Sequence, residues 1–129
     1  MLFVGPHLVV MLRDDLPDIP FPNCWDFPGG ARDGQETPEE CVLRETHEEV
    51  GITLRKQDLV WARSFAATRD RTWMFAAHLP AKVAGQLQLG SEGQALRLMT
   101  PDDYVGVPNH IPHFAQRLQL YLSEVSGLS

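Results

Sequence analysis

Apolar residues follow two rhythms along this chain, and the alternation between them marks out its elements. Residues 7–13 hold the unbroken run Leu8-Val9-Val10-Met11-Leu12, as expected of a strand buried on both faces. The short Leu2-Phe3-Val4 segment before it can pair with that strand or with another sheet edge. Residues 14–23 contain Pro17, Pro20 and Pro22 and read as a loop. Trp25-Asp26-Phe27 predicts a short strand that delivers Pro28-Gly29-Gly30 to the next element. Residues 59–66 and 72–79 predict a strand pair joined by a polar turn around Thr68-Arg69-Asp70-Arg71. Residues 80–94, with Gly85, Gly90 and Gly93, read as loop, and residues 95–99 as a further strand.

Helical spacing appears in three places. Thr37 followed by Pro38 predicts a helix start, because a hydroxyl can cap free N–H groups and proline fits the first helical position; Gly51 is the matching stop. Thr100-Pro101-Asp102-Asp103 predicts a capped helical turn, in which capping and the helix dipole account for both aspartates. In residues 111–125, Phe114, Leu118, Tyr121, Leu122 and Val125 predict a terminal amphipathic helix, with Asn109 as its cap. Helices thus alternate with strands on both sides of a sheet, an α/β arrangement within one domain over residues 1–129, without repeat or linker.

The helix that starts at Pro38 carries the most informative chemistry. At 3.6 residues per turn, Glu45, Glu48 and Glu49 share one arc, while Val42, Leu43, Thr46 and Val50 occupy a neighbouring packing arc. Like charges at this spacing repel by a few tenths of a kcal/mol per pair, so helix stability does not account for them. A divalent cation would turn the repulsion into ligation, and clustered carboxylate oxygens suit Mg²⁺ or Mn²⁺. The plainer alternative is a solvated acidic face, with Glu40 and Arg44 as an ordinary i, i+4 pair.

The whole segment reads Gly30-x5-Glu36-x7-Arg44-Glu45-Thr46-x-Glu48-Glu49-x-Gly51-Ile52, which closely resembles the signature of the Nudix hydrolase family. One position departs, since the family usually has a bulky aliphatic where Thr46 stands. The resemblance implies an α/β/α sandwich around a curved mixed β-sheet. It implies a hydrolase, dependent on Mg²⁺ or Mn²⁺, that cleaves a phosphoanhydride of a nucleoside diphosphate linked to another group. Nucleoside triphosphates and oxidised nucleotides are included, as for the small, MutT-like members. It assigns Glu45, Glu48 and Glu49 as metal ligands, with the Gly29 carbonyl as a backbone ligand, where a missing Cβ lets backbone approach ion and phosphate. Arg44 then orients the glutamates, and Glu36 is placed to pair with it. The general base is either a helix glutamate, Glu48 or Glu45, or a downstream loop acid, for which Glu92 is the best candidate.

Composition narrows the partners. A formal net charge of −6 and a pI near 5.2 argue against a nucleic-acid polymer, which requires clustered Lys and Arg, and leave a single nucleotide with its metal as the substrate class. The first twelve residues lack a basic flank and are too short to span a bilayer, so a soluble, cytoplasmic protein is expected, with a homodimer left open. Cys24 and Cys41 form no CxxC and read as free thiols. Gly30, Arg69 and Arg71 are candidate phosphate contacts, although a turn arginine is as readily explained by solvation. Trp25, Trp61 and Trp73 lie in strand pattern and are expected in the core rather than against a base. His110 and His113 bracket Ile111-Pro112 without a third soft ligand. A non-catalytic nucleotide sensor is the competing function, against which three mutually repelling carboxylates weigh.

Overall fold

The structure, a computed structural model, describes residues 1–30, 32, 34–67 and 71–126. Its elements in chain order are β1 (Leu2–Val4), β2 (His7–Leu12), β3 (Trp25–Asp26), α1 (Pro38–Val50), β4 (Leu59–Ala66), β5 (Arg71–Leu79), β6 (Ala95–Met99), α2 (Pro101–Gly106) and α3 (Pro112–Ser126). The stretch expected as plain loop before β6 contains a 3-10 turn, Ala81–Gln86.

Strand β2 is the hub of a mixed sheet. Antiparallel β6 occupies one of its edges from Leu8↔Met99 to Leu12↔Ala95. A strand has only two edges, so β1 and β3 share the other: β1 at Val4↔His7 and Phe3↔Leu8, β3 at Met11↔Asp26 and Leu12↔Trp25. Beyond β1 comes β5, parallel to it from Leu2↔Ala77 to Val4↔Leu79, and then antiparallel β4. Because β1 covers only residues 77–79 of β5, the first half of that long strand faces β3 across a gap.

Alternate residues of β2 go to opposite layers. Leu8 and Val10 pack with Phe3, Tyr104 and Leu118 beneath α2 and α3; Val9 and Met11 pack with Leu2, Val4, Val50 and Ile52 beneath α1. All four β2 residues are buried, which explains the unbroken apolar run, and each contributes roughly 1.5–3 kcal/mol of hydrophobic stabilisation. The expected α/β/α sandwich is therefore present. Thr46 is buried with the packing arc of α1 and borders a void of about 10 Å³, beside Val42, Leu54 and Phe75. Among the described residues no helix is long and apolar enough to cross a membrane.

Tyr104 ties three elements together. Its hydroxyl donates to the Trp25 carbonyl at 2.8 Å and accepts from the Ile111 N–H at 3.2 Å, linking β3, α2 and the lead into α3. Asn109 is not the cap of α3, contrary to expectation: the helix starts later, at Pro112, and the Ile111 carbonyl accepts from the first N–H groups at 3.0 Å. The Asn109 amide instead donates to the Asn23 carbonyl at 2.9 Å, holding the proline-rich loop.

Candidate active site

Helix α1 begins as its sequence dictates. The Thr37 hydroxyl accepts from Glu40 N–H at 3.1 Å, and the Glu40 carboxylate accepts from Thr37 N–H at 2.9 Å, a reciprocal capping box. The helix ends at Gly51, whose φ of 77° is a left-handed cap. Glu40 is thereby engaged at the cap, and Arg44 turns elsewhere. Its Nε and Nη2 donate to the two oxygens of Glu36 at 2.7 and 2.8 Å, while Nη1 donates to Glu45 at 2.9 Å and Glu48 at 3.2 Å. One guanidinium thus collects three carboxylates, and these bonds, the Glu36 pair above all, hold it firmly protonated.

Glu49 lies deeper. The Gly29 N–H points at its Oε2 at 3.4 Å, and a hydrogen bond joins it to Glu45. Burial, and after it that hydrogen bond and the charge of Glu45, push the Glu49 carboxyl up to about 9. Glu45 and Glu49 are therefore two half-buried acids in contact, an arrangement that demands a shared proton or a cation. Glu48 is different: its side chain is 55% exposed and turned to Arg44. Among the described residues no three acid, His or Cys side chains converge on one point as a ready metal cage.

The two glycines have separate reasons to be glycine. Gly29 holds φ at 150°, a conformation that favours glycine, and a Cβ there would meet nothing within 4 Å. Its constraint within the protein is conformational. At Gly30 the reason is closeness to a side chain, since a Cβ would lie 2.8 Å from the carboxyl carbon of Glu45. A third glycine, expected only as part of a loop, has a packing role. Gly90 seats the loop before β6 on the end of α1, donating its N–H to the Glu49 carbonyl at 2.9 Å, and a Cβ there would stand 2.1 Å from the Glu48 carbonyl oxygen. Glu92 follows two residues later and is exposed.

A cavity of about 900 Å³ opens in the gap between β3 and β5. The α1 side of its wall includes Gly29, Gly30 and Glu36; Glu45 lies against Gly30 and Glu49 against Gly29, and neither they nor Glu48 line it. Arg71 lines it from β5, bonded to Ser64 rather than lying free in a turn, whereas Arg69 lies outside the described residues. Trp73 also lines it and is 44% exposed, which corrects the expectation of a core position. The cause is the gap, which leaves that half of β5 without a strand on its β1 side. Trp25 is buried as expected, and Trp61 is half-buried against Tyr121. From the α2–α3 layer come Phe114, His113 and Arg117, and from the end of β2 comes Arg13, paired with Asp26 at 2.9 Å. None of these five was singled out as a site residue on sequence. Arg13 and Asp26, charges at the margins of otherwise apolar strands, were the available signal. The His110 ring meets the Val107 carbonyl at 2.6 Å, and His113 packs against Phe21 and Phe114.

The NUDIX domain profile matches residues 2–121. The chain is 31% identical, over 101 residues and 74% of its length, to a Mycobacterium tuberculosis protein provisionally named 8-oxo-dGTP diphosphatase 3, of which 45% is covered. It is 34% identical, over 96 residues and 70% of its length, to an RNA pyrophosphohydrolase of Francisella tularensis subsp. mediasiatica, of which 57% is covered. The chain thus spans about half the length of these curated relatives. A crystal structure of a C. elegans Ap4A hydrolase binary complex has a TM-score of 0.73 at 20% identity, covering 98% of this chain and 96% of that one, a likeness of fold.

Proposed function

Because this chain belongs to the Nudix hydrolase family, we propose that it is a pyrophosphohydrolase that uses water to cleave a phosphoanhydride bond of a nucleoside diphosphate linked to a further group. The observation that carries this reading is the Arg44 fork, which aims Glu36, Glu45 and Glu48 beside the Gly29-Gly30 backbone at the wall of a nucleotide-sized cavity. A fold kept only to bind has no need to hold repelling acids in place.

The acidic end fits Mg²⁺ or Mn²⁺. Its donors are hard oxygens, Glu45 and Glu49 already touch, and Gly29 brings backbone beside them. Glu48, exposed and held by Arg44, is the ligand that has to turn to join them. When bound, such an ion neutralises phosphate oxygens and makes a water more acidic. The remaining work belongs to the protein. Gly30 keeps the wall free of a side chain beside Glu45, so the phosphates can approach; Arg44 fixes the carboxylate rotamers; and a carboxylate, Glu48 or Glu92, takes the proton of the attacking water.

The names of the relatives supply the panel: 8-oxo-dGTP, dGTP, diadenosine tetraphosphate and a 5′-triphosphate RNA, each with Mg²⁺, with Mn²⁺ and with a chelator. Metal-dependent release of phosphate or pyrophosphate from at least one member is expected. Tight nucleotide binding with no turnover of any member would replace the enzyme with a sensor.

A further inference from the structure

Four arginines, Arg13, Arg32, Arg71 and Arg117, line one cavity of a chain whose formal net charge is −6. Among the described residues two acids line it with them, and both are engaged: Asp26 with Arg13, Glu36 with Arg44. Among the described residues the arginines of its wall thus outnumber the carboxylates, and a concavity with such an excess concentrates anions.

Arg117 stands apart from the others. Its guanidinium lies 4.2 Å from the centre of the Phe65 ring, and among the described residues it has no carboxylate partner. A ring face attracts a cation yet accepts few of its five N–H bonds. Burial lowers the Arg117 pKa, as befits a partly desolvated cation, and burial, with the Arg117 charge after it, holds His113, one turn earlier, toward its neutral form. Packing against Phe65 explains where the side chain lies; it does not explain a charge kept on the cavity wall. Arg71 reaches the same end of the cavity, bound to Ser64 beside Phe65. This end is built from α3 and the β4–β5 pair, whereas the acidic helix lines the cavity with Pro38, Cys41 and Val42, beside Gly29, Gly30 and Glu36 of the segment that leads into it, from the other layer of the sandwich.

We propose that Arg117, stacked on Phe65, is an anion subsite for the part of the substrate remote from the acidic helix, and that it selects nucleoside triphosphates and longer polyphosphates over nucleoside diphosphates linked to an uncharged sugar. The assignment rests on the pyrophosphohydrolase reading, and a volume near 900 Å³, at the upper end for small-molecule sites, accommodates such a chain.

The test compares wild type with Arg117→Gln and Arg117→Lys on ATP, diadenosine tetraphosphate and ADP-glucose. Arg117→Gln is expected to raise KM about 10-fold for the two polyphosphates, to leave kcat within about twofold, and to change KM for ADP-glucose by less than about twofold. Arg117→Lys should fall between, keeping the charge and losing the fork. Equal losses on all three substrates, or no loss on the polyphosphates, would overturn the subsite. A second arm measures equilibrium binding of ATP and of inorganic tripolyphosphate in the presence of a chelator, at low and high salt. Weaker, less salt-sensitive binding by Arg117→Gln supports the subsite; unchanged binding overturns it. That arm decides the matter even if wild type turns over nothing, an outcome that would sink the pyrophosphohydrolase reading instead. Melting temperatures identify a variant that fails to fold, in which case Arg117→Lys carries the comparison.

Discussion

Arg44 grips Glu36 through two parallel hydrogen bonds, 2.7 and 2.8 Å long, and the same guanidinium reaches Glu45 and Glu48 with its remaining nitrogen. Only a planar fork can do this. A lysine places one compact charge and cannot bind Glu36 bidentately while holding two further acids. Arg44→Lys should therefore keep the fold and lower kcat about 10–100-fold, the range typical of residues that orient metal ligands. Glu36→Gln should act in the same direction, because it frees the fork to rotate. Steady-state kinetics alongside circular dichroism checks both, and turnover within about twofold of wild type in both variants would leave the fork a purely structural role.

Glu48 and Glu92 compete for one task. Glu48 is on α1, while Glu92 reaches the neighbourhood through Gly90, which is bonded to the helix end. Glu48→Gln should lower kcat by at least about 100-fold, as loss of a charge partner in the transition state does. Glu92→Gln should match that only if Glu92 takes the proton from water. A small effect of Glu92→Gln with a large effect of Glu48→Gln assigns the base to the helix; near-normal turnover by Glu48→Gln removes it from the site.

Gly30→Ala and Gly90→Ala should fail in different ways. At Gly30 the new methyl meets the tip of the flexible Glu45 side chain at 2.8 Å, so Glu45 must move. Activity should drop at least about 10-fold while stability stays within about 0.5 kcal/mol of wild type. At Gly90 the methyl meets a backbone carbonyl oxygen at 2.1 Å, and one of the two chains must shift. Gly90→Ala should cost about 1–3 kcal/mol and lower activity as well, because the loop that carries Glu92 is pushed off the helix. Thermal melts and kcat on the two variants separate the cases, and an unaffected melting temperature for Gly90→Ala would contradict the packing described.

What the sequence revealed, and what it concealed, follows from the range of the interactions concerned. Helix α1 was legible because its cap, its stop and its two arcs are local. Both faces of β2 were legible because burial on two sides leaves an unbroken apolar run. Trp73 misled because a tryptophan in a strand normally packs. Its exposure depends on β1 reaching only the far end of β5, a pairing register that no local pattern records. Gly90 resembled any loop glycine, since its neighbour Glu48 is far away in sequence. Arg117 is a polar position of an amphipathic helix, and what sets it apart is a long-range contact, Phe65 beneath its guanidinium.

Tyr104 links this fold to pH. Its buried hydroxyl, bonded to Trp25 and Ile111, has its pKa pushed up to about 12, mainly by burial. The folded chain thus keeps a proton that the unfolded chain releases near pH 10. The associated stability is fully present below pH 10 and is lost as pH rises through about 12, a decline of up to about 3 kcal/mol. Tyr104→Phe should remove that alkaline decline. At neutral pH it should also cost about 1–3 kcal/mol, because the Trp25 carbonyl and the Ile111 N–H lose a buried partner. Urea unfolding of both proteins between pH 7 and about pH 12 measures the two effects together, and a decline of equal size in Tyr104→Phe would shift the alkaline sensitivity to another group.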